Sequence, residues 1–154
     1  MPSEYIMYMS VLLVGTLAIA GISATLIAID GTMEDKAIET NLENILQKIS
    51  EIIHDLRNQG SLQIEMGATS FAIDVVLTLP DNIHNQEYII EIEDRDSSYY
   101  INATLTDDPA FSISIKLFID SSNILLSGSI QSSSSVPRVV FNYDGSTSQI
   151  QLVE

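Results

Sequence analysis

Between Ile6 and Ile29 the chain carries no charged residue, and no proline interrupts the helical pattern that continues from there to about Arg57. At about 1.5 Å rise per residue, twenty-odd apolar residues match the ~30 Å hydrocarbon core of a bilayer, so the sequence predicts a membrane-length N-terminal helix. A secretory signal peptide does not fit. It needs a basic start, a shorter apolar run of roughly 7–15 residues and a small-residue cleavage site, whereas the first basic residue here is Lys36. The flanks are acidic, with Glu4 before the stretch and Asp30, Glu34 and Asp35 after it, where an ordinary anchor carries Lys or Arg beside one end. A basic leader removed from a precursor would account for this, as would an anchor oriented by its translocated domain.

Within the apolar stretch, Thr16, Ala20, Ala24 and Ala28 recur every fourth residue with Gly21 beside them. Such a stripe of small side chains lets helix backbones approach closely. After Ile29 the pattern becomes amphipathic. Ile38, Leu42, Ile45, Ile49, Ile52 and Leu56 step by threes and fours, Leu46 and Ile53 widen the stripe, and Glu39, Glu43, Lys48, Glu51 and Asp55 lie off it. Thr32 is a candidate N-cap with Asp35 three residues on, and Gly31 costs a continuous helix only about 1 kcal/mol. Asn58-Gln59-Gly60 offers a C-terminal glycine stop.

From Ser61 onward the hydrophobic period becomes two. Phe71 to Leu79 and Phe111 to Ile119 alternate clearly, and weaker runs lie near Leu62 to Met66, Glu87 to Glu93, Tyr99 to Leu105, Ile124 to Ile130, Arg138 to Tyr143 and Gln149 to Val153. Turn signals separate them: Pro80-Asp81-Asn82, Asp107-Asp108-Pro109, Ser121-Ser122-Asn123 and Asp144-Gly145. Ser132 to Ser135 reads as a flexible loop. The expected fold is α+β: a long hydrophobic and then amphipathic helix over residues 1–58, followed by an antiparallel β-sandwich or barrel-like domain of about eight strands over 61–154.

Charge and composition narrow the chemistry. With 21 acidic and 6 basic residues the net charge is -15, which repels phosphates and argues against a nucleic-acid partner. There is no cysteine, which removes disulfides, thiolate metal sites and thiol catalysis together. His54 and His84 are the two histidines, too few for a histidine metal centre or a Ser-His-Asp triad of the usual kind. No phosphate-binding loop, dinucleotide fingerprint or HExxH motif occurs. Glu91, Glu93, Asp94 and Asp96 lack EF-hand spacing and read as a solvated acidic strand end. No catalytic residue, cofactor or metal is expected. Asn102-Ala103-Thr104 is an N-glycosylation sequon, and strand alternation points Asn102 away from Ile101, Ala103 and Leu105, toward solvent.

The polar start Met1-Pro2-Ser3-Glu4-Tyr5, the uncharged apolar helix, the amphipathic continuation and a cysteine-free β region together resemble the archaeal type IV pilin-like superfamily, which includes archaellins and minor archaellum proteins. Mature pilins in many lineages carry an acidic residue at the fifth position; Glu4 stands one place earlier. The resemblance implies a structural, non-enzymatic subunit of an extracellular filament: a homo-oligomeric helical polymer with helices in its core, β domains outside, and membrane residence before assembly. The alternative is a membrane-anchored extracytoplasmic binding or stator module that does not polymerise.

Overall fold

The computed structural model describes the backbone of residues 2–120 and 124–154, and their side chains except at 2–12, 14–15 and 24–32. One helix, α1 (Pro2–Glu65), precedes seven strands: β1 (Phe71–Val76), β2 (Tyr88–Arg95), β3 (Ser98–Leu105), β4 (Ser112–Asp120), β5 (Leu125–Gln131), β6 (Arg138–Tyr143) and β7 (Ser148–Val153). The chain forms two compact units, the first ending at Ala37 and the second covering Ile38–Glu154. The boundary therefore lies inside α1, and the second half of the helix belongs to the β domain.

The amphipathic stripe explains why. Ile38, Leu42, Leu46, Ile49, Ile53 and Leu56 are all buried, in one core with Tyr88, Ile90, Ile101, Leu117, Ile130, Phe141 and Ile150 from the sheet. Ile45 and Ile52 sit at the margin of that core, partly buried. Removing each such aliphatic side chain from water contributes about 1.5–3 kcal/mol, so this half of the helix is held chiefly by its packing. Glu39, Glu43, Glu51 and Asp55 lie on the exposed side.

Two expectations about the fold are corrected. The strands form one seven-stranded sheet in the order β1-β6-β7-β5-β2-β3-β4, not an antiparallel sandwich or barrel. Five of its pairings are antiparallel, but β5 and β7 run parallel, with Leu125 opposite Gln149 and Gly128 opposite Leu152. Helix 38–65 covers one sheet face, so a second sheet is not needed to bury it. The membrane-length apolar helix is also not carried: among the described residues no helix is long and apolar enough to cross a membrane. From Asp30 on, α1 becomes charged and amphipathic, and most side chains from Ile6 to Ile29 fall outside the described residues.

Local corrections have local causes. The run Leu62 to Met66 is not a strand but the end of α1, which passes Gly60 and stops at Gly67. Gly67 has φ +90°, its N–H donates to the Ile64 carbonyl at 2.9 Å, and the Ala68 N–H reaches the Gln63 carbonyl at 3.0 Å, the two bonds of a Schellman stop. Gly60 serves packing instead: a Cβ there would lie 2.4 Å from the Phe141 ring. Gly128, at φ +109°, lies so close to β7 that a Cβ would collide with the Leu152 carbonyl oxygen. Ser132 is not loose. It is buried, accepts the Tyr88 N–H at its Oγ (3.1 Å), and returns its own N–H to the Tyr88 carbonyl (2.9 Å). The turn Ser121-Ser122-Asn123 lies outside the described residues.

Tyr88 ties the β1–β2 connection to the core. Its ring is buried and its hydroxyl donates to the Pro80 carbonyl at 2.8 Å. Burial, and then the neighbouring Asp81 carboxylate, push its phenol from 10.0 to about 12. Below pH ~10 the folded and unfolded chains both carry the neutral phenol, and the stabilisation is fully present. As pH rises from about 10 toward 12 the unfolded chain releases a proton that the folded chain keeps, so stability is lost across that window, by about 2–3 kcal/mol. Urea denaturation from pH 8 to 12 is expected to show this fall, and Tyr88→Phe to flatten it; an unchanged pH profile in the variant would contradict the assignment.

Candidate functional site

The opposite face of the sheet is polar, and on strands β2, β3 and β4 it gathers charge and aromatic surface. Glu91, Asn102 and Ser114 stand in register across the three strands, and Glu93, Tyr100 and Lys116 form the next rank. The Arg95 guanidinium bonds the Glu93 carboxylate and lies over the Tyr100 ring, 5.6 Å from its centroid. Lys116 Nζ stands 5.9 Å from the Tyr100 centroid and 5.8 Å from that of Phe118. The hydrogen bond from Arg95 lowers the Glu93 carboxyl from its ordinary value, against the opposing effect of desolvation and with further help from a bond with Asn102.

Asn102 is a further correction. Ile101, Ala103 and Leu105 do enter the core, as the alternation predicts, yet Asn102 on the other face is itself only 3% exposed. It occupies an inner strand of the sheet with Glu91 and Ser114 beside it, and its Oδ1 is buried without a hydrogen-bond partner. The alternation rule identified the face correctly; it does not register that a mid-sheet position on an inner strand is buried on either face. In this folded state the amide does not meet solvent as a sugar acceptor needs.

Phe118 is the residue that the sequence reading passed over. It lies at a bulge on edge strand β4, where register with β3 jumps between Ser98 and Tyr100, so Leu117, Phe118 and Ile119 together oppose Tyr99. Its φ is +51°, a left-handed conformation that costs a bulky residue roughly 1–2 kcal/mol, and its side chain is 79% exposed. The one signal in the sequence is that Phe118 takes a place in the alternation otherwise filled by Ser112, Ser114 and Lys116.

The other singled-out residues fall into two groups. The amphipathic face of Ile38, Leu42, Ile45, Ile49, Ile52 and Leu56 is spent on the chain's own sheet. Of the small stripe, Thr16, Ala20 and Gly21 are exposed, Thr16 Oγ1 donates to the Leu13 carbonyl at 2.9 Å, and a Cβ on Gly21 would meet nothing within 4 Å. Ala24 and Ala28 lie outside the residues whose side chains are described. Among the described residues no three His, Asp or Glu side chains gather as a metal site needs. Asp144 acts as a turn residue: its Oδ1 accepts the Thr147 and Ser146 N–H groups at 2.8 and 2.9 Å, which lowers its carboxyl.

No family model, curated protein or solved structure matches the chain. The functional reading therefore rests on residues and geometry.

If the Phe118 ring is held outward for a purpose other than folding, Phe118→Gly should relieve the left-handed strain and leave stability unchanged or raised by up to about 1 kcal/mol. Chemical denaturation measures this. A loss of more than about 1 kcal/mol would show instead that the ring supports the fold.

Proposed function

We propose that this chain is the subunit of an extracellular filament in which the first part of α1 packs against the same segment of other copies and the unit Ile38–Glu154 forms the outer body. One observation carries the reading. Leu13, Leu17, Ile19 and Ile22 are 61%, 64%, 67% and 60% exposed, and at 100° per residue they point to opposite sides of the helix. Large apolar side chains exposed on opposite sides of a helix favour cover from more than one neighbouring chain.

The second unit needs no such cover, because its helical stripe is already satisfied by its own sheet. Assembly through the first part of α1 would thus leave the β domain intact, a division of labour between a segment for association and a body for surface. Gly21 lies exposed beside the small-residue stripe, where small size permits close helix-to-helix approach.

Sedimentation and electron microscopy test the proposal together. The full chain is expected to form elongated assemblies, and a truncation beginning at Met33 to be monomeric with the β domain's melting behaviour preserved. Gly21→Leu should impair assembly without lowering that melting temperature. A full chain that remains monomeric in plain buffer would overturn the proposal, and assemblies indifferent to Gly21→Leu would remove the small stripe from it.

A further inference from the structure

We propose that the groove between α1 and segment 76–84 binds a small amphipathic carboxylate, a monocarboxylic acid with an apolar tail. This goes beyond the filament reading and does not depend on it, because the groove lies wholly within the unit Ile38–Glu154. One wall is a ridge of the helix. Asn41, Ile45, Lys48 and Ile52 follow one another at steps of four, three and four, so amide, apolar, cationic and apolar side chains stand in line on one flank of the buried stripe. The other wall carries Val76, Leu79, Asn82 and His84. A two-residue hairpin turn fixes its end: His84 and Asn85 have φ +50° and +62°, and Ile83 and Gln86 exchange N–H to carbonyl bonds of 2.9 and 3.0 Å across them. The groove holds about 740 Å³, within the range of roughly 300–1,000 Å³ common for small-molecule sites.

The chemistry of the walls selects the ligand. The chain has 21 acidic and 6 basic residues, yet none of the described residues lining the groove is acidic, and Lys48 and His84 both line it. Asp81, in the same segment, acts instead on the Tyr88 phenol, and Glu43 and Glu51 lie exposed on α1 off the ridge. Such a local reversal of charge draws an anion. The amides of Asn41, Asn44 and Asn82 add neutral N–H donors for its oxygens. Lys48 is the one permanent positive charge among the described lining residues, which matches a single carboxylate and leaves a phosphate dianion undercompensated. The apolar part of the lining calls for a tail. Ile45, Ile52 and Leu79 are only partly buried and Val76 is 57% exposed, so a hydrocarbon chain laid along them leaves water together with them. An acid with a short hydrocarbon tail satisfies both halves of the lining; an inorganic anion or a neutral hydrocarbon satisfies one.

Octanoate carrying a photoreactive diazirine in its tail tests this on the full-length chain, with the labelled peptides mapped by mass spectrometry. Saturable labelling is expected in segments 41–52 and 76–84, competed by plain octanoate and much less by octanol. Lys48→Gln, at an exposed position, should weaken it by about tenfold or more through loss of the charge-assisted bond, with the melting temperature unchanged. Asn44→Asp, also at an exposed position, places a carboxylate in the lining and should weaken it as well. Octanol competing as well as octanoate, or labelling indifferent to both substitutions, would overturn the inference. So would labelling confined to residues 13–22, whose exposed apolar side chains take up any detergent-like molecule. The labelling pattern reads the same in assembled and monomeric chains. Loss of the filament reading therefore leaves this inference standing, and its own failure leaves the filament reading untouched.

Discussion

Everything in the β domain is organised around the seating of α1, from Ile38 to Leu56, on one face of a single sheet. Six buried helical side chains share one core with inward residues of all the inner strands, and this packing accounts for where the compact unit begins and which sheet face stays polar. A helix of this length buried on one face of a sheet makes a complete two-layer core. The charged side of the same segment, Glu39, Glu43, Glu51 and Asp55, then faces water and supplies part of the acidity of the surface.

The sheet's departures from regularity are concentrated where backbone meets backbone or where a side chain is re-aimed. Gly128 permits the close parallel approach of β5 to β7, because any side chain there would strike the Leu152 carbonyl. The bulge at Leu117 to Ile119 does the opposite on edge strand β4, breaking the ladder and turning Phe118 outward beside Lys116. Bulges also make an edge strand a poor template for unregulated pairing with another chain.

Most of the element pattern was legible in the residues, and what was not has identifiable causes. Period-two alternation located all seven strands, and the stripe from Ile38 to Leu56 was recognisable as a buried face. Alternation carries no information about strand direction, so the parallel β5–β7 pair and the single sheet in place of a sandwich were invisible to it. Gly60 and Gly67 could each have ended the helix on sequence grounds. Only the Phe141 ring against Gly60 separates a packing glycine from the stop glycine seven residues later. Asn102 and Phe118 show the same limit on the outer face, where a mid-sheet position buries an amide and a bulge exposes an aromatic ring against the expectation of each residue type.

On the assembly account, the first part of α1 is incomplete in a single chain. On that account the exposed Leu13, Leu17, Ile19 and Ile22 gain apolar cover when copies pack, and the unit Ile38–Glu154 has its own core without it. The most direct measurement of that claim places a spin label at position 33, exposed and clear of the small-residue stripe, in the full-length chain. Packed helices lie about 8–10 Å apart axis to axis, so labels on neighbouring copies would be close enough for strong dipolar broadening. Broadening that disappears when labelled chains are diluted with unlabelled ones is the predicted result. A spectrum free of dipolar broadening at full labelling, in assemblies or in monomers, would contradict the account.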